Sequence, residues 1–257
     1  MKSPTIIMLA GKGESTNIVH NYLIESFNIQ KVIIEEPVPR SNFLKNRIKK
    51  LGFFKVLGQV LFQTFTVSYL KKRSVERTND IKRMHQLNCS SINEGEIINV
   101  KSVNDNETVN ILREIKPDIV IVNGTRIISK KVLNCVPAKF INMHAGITPM
   151  YRGVHGAYWA LVENQNELCG TTIHFVDEGI DTGNILKQGI IQTNEKDNFY
   201  TYPLLQLAIG LPLLKEAIWE VLDNKYQIIL PPKGESKLRS HPTLLEYWSY
   251  RLHRNVK

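Results

Sequence analysis

Apolar runs and polar breaks alternate along this chain in the order of strand, turn and helix. Residues 5–9 form a short β-rich run, residues 11–15 a polar turn holding two glycines, and residues 16–26 set Ile18, Tyr22 and Leu23 on one helical face. That order opens a doubly wound sheet. Residues 31–34 and 97–100 supply further strands, and residues 107–115 a helix carrying Val109, Leu112 and Ile115 that Pro117 stops. The run 118–122 is unbroken rather than alternating, which predicts a central strand buried on both faces. A short helix follows at 129–133, a strand ending at Asn142, and a helix over 156–163. Residues 171–176 and 185–192 read as paired strands, the first alternating inward and outward. Residues 202–222 predict a long amphipathic helix, and the run 226–230 ends at Pro231-Pro232. The tail from Lys233 offers only a helical pattern over 243–252, and no internal repeat is present. The fold class expected is α/β, a Rossmann-like, doubly wound and mostly parallel sheet.

Composition narrows this picture. The 257 residues, 42% apolar and 22% charged, suit one large α/β domain or a domain of about 200 residues with an appendage. Cys89, Cys135 and Cys169 are odd in number and widely spaced, so neither a disulfide framework nor a zinc site is indicated, and a reducing cytoplasm fits. Gly11, Lys12, Gly13 and Glu14 cut the first apolar run short, so it predicts a first strand rather than a signal peptide.

The net charge of +9 is concentrated in one place. Between Val38 and Leu87 twelve Lys and Arg face only Glu76 and Asp80, and the rest of the chain is about neutral. A general polyanion groove is therefore not expected, and nucleic acid is not an expected partner. Leu44, Ile48, Leu51, Leu57, Val60 and Leu61 recur at near-helical spacing among those lysines. The fifteen uncharged residues 56–70 are fewer than the ~20 that span a bilayer. Three readings stay open for residues 43–73: a helix covering the sheet, a contact in a homodimer, or a peripheral membrane contact.

Candidate chemistry lies further on. Asn142 and His144 are two residues apart at a strand end, where alternate side chains share a direction. Asp177, Glu178 and Asp181 follow in a glycine-flanked loop, each a candidate carboxylate or a turn residue. An amide that donates to an oxyanion, an imidazole that handles a proton, and a carboxylate that fixes the imidazole suffice for metal-free acyl transfer to an amine. Arg152 either steers an anionic substrate or pairs at the surface, and His174 reads as a supporting or core histidine. The turn Gly11-Lys12-Gly13-Glu14-Ser15 is either a phosphate loop or a plain strand-to-helix turn.

Asn142-Met143-His144, the turn from Pro149 to Gly153, and the run from Gly170 to Gly183 together resemble the folate-dependent formyltransferases. That family includes glycinamide ribonucleotide transformylase, methionyl-tRNA formyltransferase and sugar N-formyltransferases. The resemblance is strong over about residues 117–188, weaker over the first thirty, and absent over 37–100. It implies that Asn142, His144 and Asp181 are catalytic, that N10-formyltetrahydrofolate is the cosubstrate, and that no metal is needed. It also implies that Arg126, Ile127 and Ile128 cradle the pterin, that Val176, Gly179 and Ile180 close over it, and that Gly11, Lys12 and Gly13 hold a substrate phosphate. Gly146-Ile147-Thr148 departs from the family's common Ser-Leu-Leu.

The expected organisation is a catalytic domain over 1–224, with a basic apolar insertion at about 38–90, and a C-terminal extension over 225–257. Few residues follow the catalytic half and their charges are mixed, so transfer RNA is disfavoured. The resemblance implies a cytoplasmic N-formyltransferase acting on a small-molecule amine, first of all a nucleotide-linked amino sugar of surface polysaccharide synthesis. Glycinamide ribonucleotide is the runner-up acceptor. A catalytically silent folate-binding protein and a formyl-folate hydrolase are further alternatives.

Overall fold

The computed structural model describes residues 4–232 and 234–257; residues 1–3 of the expected domain and Lys233, where the expected tail begins, lie outside the described residues. In chain order, β1 (Ile6–Gly11) and α1 (Glu14–Leu23) lead to β2 (Ile29–Glu35). Four helices, α2 (Arg40–Leu51), α3 (Phe53–Leu61), α4 (Ser68–Arg73) and α5 (Val75–Met84), then precede β3 (Ile97–Val100), with a π-helical stretch, Phe62–Val67, joining α3 to α4. Next come α6 (Asn106–Ile115), β4 (Ile119–Asn123), α7 (Lys130–Leu133), β5 (Lys139–His144), β6 (Tyr151–Gly153) and α8 (Gly156–Val162). The chain finishes with β7 (Gly170–Phe175), β8 (Ile185–Ile190), α9 (Tyr202–Leu222), β9 (Lys237–Arg239) and α10 (Leu244–Arg254).

Among the described residues, seven strands form one sheet in the order β3-β2-β1-β4-β5-β7-β8. The first five run parallel; β7 and β8 pair antiparallel on the far side of β5. The strand order turns between β1 and β4, and in such sheets the ligand crevice opens at that point, beyond the carboxyl ends of the strands. β1 shows why its run is unbroken. Ile6 and Met8 enter one apolar layer with Ile18 and Leu211, and Ile7 and Leu9 enter the other with Val109 and Leu112.

Strand β7 departs from the expected alternation, because Gly170 to His174 are all buried. The threonines are buried without cost in unmet hydrogen bonds: Thr171 Oγ1 donates to the His144 carbonyl and Thr172 Oγ1 to that of Gly146, both at 2.8 Å.

Of the three readings left open for the insertion, packing on the domain uses a stripe other than the leucines and isoleucines. Val56, Gln59, Phe62 and Thr66, spaced three and four apart, form its buried stripe, whereas Leu44, Ile48, Leu57 and Val60 are exposed. Phe62 anchors the stripe against Phe199 and Tyr247, with ring centroids 4.9 and 5.0 Å away. The tail supplies the second wall of this contact. Its helix α10 opens with a reciprocal capping box between Thr243 and Glu246, and β9 pairs in parallel with β6 in a separate two-stranded sheet. Strands of three residues carry no readable period, which is why the sequence pattern did not reveal them.

Candidate active site

Strand β5 ends at the crevice and delivers two of the expected residues on one side. In its antiparallel pairing with β7, Asn142 lies opposite His174 and His144 opposite Thr172. The loop after β7 returns Asp181 to this strand end with a left-handed backbone, φ +52°. One carboxylate oxygen of Asp181 accepts from the Gly153 N–H at 2.9 Å, and the other stands 3.3 Å from His144 Nδ1. His144 Nε2 meets the Tyr151 carbonyl at 2.8 Å. Both ring nitrogens therefore face oxygen acceptors.

Gly146 makes room for this ring. A Cβ at that position would lie 2.4 Å from the Tyr151 oxygen and 2.7 Å from His144 Nε2, so only glycine fits without displacing the imidazole. Here Gly146 acquires a physical reason.

Asn142 is oriented by a second histidine. His174 Nδ1 donates to the Phe175 carbonyl at 2.7 Å, which leaves Nε2 bare to accept from Asn142 Nδ2 at 3.1 Å. Burial pushes the His174 pKa down, as does the nearby His144, against the pull of the Phe175 carbonyl and of Asp181. A neutral His174 thus fixes which end of the amide is nitrogen, and the second Nδ2 hydrogen remains for a ligand.

Two cavities flank the strand end and share Gly124, Met143 and Ala145 as common wall. One, of 430 Å³, holds Asn142, His144 and Asp181 on its floor. All six residues expected to cradle the pterin line it: Arg126, Ile127, Ile128, Val176, Gly179 and Ile180. Apolar side chains interleaved with backbone suit a flat heterocycle. The other, of 490 Å³, lies beyond Met143 and reaches Ser15, Gln63, Thr78, Asn123, His155 and His241.

The family model for formyl transferase matches residues 66–202, more than half of the chain. The chain belongs to the formyl transferase family. A methionyl-tRNA formyltransferase of Thermodesulfovibrio yellowstonii is 34% identical over 126 residues, 49% of this chain and 39% of that protein. The match thus spans about two-fifths of that curated relative's length. Among solved structures, a sugar N-formyltransferase from a Shewanella species aligns over 92% of this chain and 76% of its own, with TM-score 0.58 and 15% identity. A phosphoribosylglycinamide formyltransferase from Anaplasma phagocytophilum aligns over 92% and 98%, with TM-score 0.57 and 18% identity. An N-formyltransferase from Helicobacter canadensis, in complex with folinic acid and dTDP-3-aminofucose, aligns over 91% and 70%, with TM-score 0.52 and 18% identity. At these identities the structures establish the fold that this formyl transferase shares.

The remaining expected residues fall as follows. Arg126 lines the cavity, and its side chain pairs with Glu35 at 2.6 Å and reaches the Glu36 carbonyl at 2.8 Å. Arg152 joins no ion pair among the described residues; it donates to the Ile180 carbonyl at 3.2 Å and so ties down the loop that carries Asp181. Asp177 accepts from Gly179 N and Thr182 Oγ1, and Glu178 pairs with Lys130, so both are turn and surface residues. Gly11 packs against Gly124, where a Cβ would come within 2.4 Å of the carbonyl. Lys12 and Gly13 are exposed and line neither cavity, while their neighbours Glu14 and Ser15 line the larger one.

Sequence reasoning missed the far wall of that larger cavity. His241 Nδ1 stands 2.8 Å from both His155 Nε2 and Gln63 Nε2, and Gln59 donates to the His241 carbonyl at 2.6 Å. Burial, with His241 alongside, lowers the His155 pKa to about 3, and burial, with Arg47 nearby, lowers that of His241 to about 4. This wall is neutral. Its members come from the insertion, from the residue that precedes α8 and from the tail, so no local motif joins them; the nearness of His155 to the Tyr151-Arg152-Gly153 turn was the one signal.

Proposed function

We propose that the chain transfers a formyl group from N10-formyltetrahydrofolate to a primary amine, most specifically that of a nucleotide-linked amino sugar for surface polysaccharide. The observation that carries this reading is that Asn142, His144 and Asp181 line one cavity together, while Met143 and Ala145, their neighbours on β5 and just beyond it, form part of the wall shared with a second. The neutral amine attacks the formyl carbon, a new C–N bond forms, and the bond from that carbon to the folate nitrogen breaks. One proton leaves the amine and one is delivered to the folate nitrogen. Asn142 gives its free Nδ2 hydrogen to the developing oxyanion. His144 brings positive charge, held by Asp181, and the pair exchanges the proton. The folinic acid bound to the Helicobacter canadensis relative supports the folate side.

The acceptor side supports a sugar. Among the described residues lining the larger cavity there is no lysine or arginine, and hydroxyl and amide groups of Ser15, Gln63, Thr78 and Asn123 stand beside apolar Leu204 and Leu207. Thr78 Oγ1 is buried without a hydrogen-bond partner among the described residues, a place for a sugar hydroxyl. Beyond Gln63 and His241 a groove of 480 Å³ carries Arg40, Arg47 and Phe43, suited to phosphates and a base. The dTDP-sugar held by the same Helicobacter relative agrees with this. A phosphate on the opening turn, as glycinamide ribonucleotide would require there, meets Glu14 instead, which pairs with Lys82 at 2.7 Å.

On this reading residues 1–224 carry the catalysis, with the insertion at about 38–90 and the extension 225–257 finishing the acceptor wall, and the reaction takes place in the cytoplasm. The test is to incubate the protein with formyl-folate and a panel of nucleotide-linked amino sugars and to follow mass. The gain of one CO unit on an amino sugar is expected. A gain on glycinamide ribonucleotide alone would replace the acceptor; formate released without any amine would make the protein a hydrolase; no turnover with folate bound would make it a silent binder.

A further inference from the structure

The insertion exposes far more apolar surface than its packing uses. Its inward stripe needs Val56, Gln59, Phe62 and Thr66, yet Phe53, Phe54 and Phe65 stand 56, 84 and 64% exposed on the same rod. Every residue of α2 is exposed or half-buried. Helix α10 packs beside α3, with Gly58 against Thr243, and it carries its own outward stripe of Leu245, Trp248 and Leu252 at positions i, i+3 and i+7. Monomeric proteins seldom leave aromatic and aliphatic side chains grouped in this way without a partner.

The charge pattern says what that partner is. From Pro37 to Val75 the chain has nine Lys and Arg and no Asp or Glu. We propose that this face docks on an anionic lipid surface, with Phe53, Phe54 and Leu57 entering the headgroup boundary and Lys45, Lys49, Lys50 and Lys55 meeting lipid phosphates. A second copy of the chain, related by a two-fold axis, would set this acid-free surface against itself, cation to cation. Nucleic acid would satisfy the lysines but leave Phe54, Leu57 and the α10 leucines without apolar cover. Among the described residues no helix is long and apolar enough to cross a membrane, so the contact is peripheral. The same insertion also furnishes Gln63 to the larger cavity.

The test uses the full chain and sedimentation with vesicles of phosphatidylcholine alone or mixed with phosphatidylglycerol. At low ionic strength the protein is expected to pellet with the mixed vesicles and not with the neutral ones, and added salt should release it. Replacing Phe53 and Phe54 together by Ser, or Lys49 and Lys50 together by Glu, should lower the bound fraction at least about fivefold while the melting temperature stays unchanged, since all four side chains are exposed. Equal recovery in the supernatant with both vesicle types would overturn the proposal. So would pelleting that the Phe53/Phe54 variant leaves unaltered, or a concentration-dependent dimer or oligonucleotide complex formed in the absence of vesicle binding.

Discussion

The Asn142 amide is held by His174, whose bare Nε2 accepts from Nδ2 at 3.1 Å. This contact places a buried histidine, its pKa lowered by burial, behind the amide proposed to meet the oxyanion. It separates the two histidines of the site by their partners: His144 stands between two oxygen acceptors, His174 between an acceptor and a donor.

Replacing His174 by Ala should free the Asn142 amide to rotate and lower kcat by about tenfold to a hundredfold with little change in the KM for formyl-folate. Because burial lowers the His174 pKa, the neutral ring persists below the ordinary histidine range, and His174 should cause loss of activity only on further acidification. Steady-state kinetics across pH for the native and variant chains checks both statements.

Gly146→Ala should damage the site through His144. Its Cβ would come within 2.4 Å of the Tyr151 carbonyl and 2.7 Å of the imidazole, and overpacking of this kind costs about 1–3 kcal/mol of stability. We expect a lowered denaturation midpoint together with a fall in kcat that exceeds what partial unfolding explains, measured at a temperature where both chains are folded.

How far the sequence could be read depends on where each signal lies. β1, β4 and α9 were legible because apolar runs and helical periods are local, and Asn142 and His144 because a strand end aligns alternate residues. Asp181 was separable from Asp177 and Glu178 only through the family resemblance; the structure adds that the other two are occupied by turn and surface contacts. The acceptor wall was illegible, because Gln63, His155 and His241 are joined by hydrogen bonds across the fold and not by spacing. The inward face of the insertion was not legible for a related reason: its stripe includes Gln59 and Thr66, polar residues that hydropathy assigns to solvent.

The insertion should behave as part of the core. Phe62 is fully buried between Phe199 and Tyr247, so Phe62→Ala should cost about 3–5 kcal/mol, whereas Phe54→Ala, at 84% exposure, should change stability little. Equilibrium denaturation of the two variants makes the comparison.

His155 and His241 predict the acid sensitivity of the fold. Their folded pKa values, about 3 and about 4, lie below the ordinary histidine value, so their contribution to stability is fully present above that value and is lost as pH falls toward the folded ones. The unfolded chain takes up protons over this window while the folded chain does not, giving a slope of up to ~1.4 kcal/mol per pH unit for each histidine. His241→Gln should flatten the slope. Denaturant midpoints recorded across the window, native against variant, decide the matter.

The reaction itself is tested most directly by single-turnover formyl transfer with Asn142→Ala and His144→Ala, each shown to be folded and to bind formyl-folate. Losing one oxyanion donor or its neighbouring charge removes about 3 kcal/mol of transition-state stabilisation, so each variant should slow transfer by about a hundredfold or more with folate affinity largely kept. Near-native turnover by either folded variant would contradict the assignment of Asn142, His144 and Asp181 as the catalytic group.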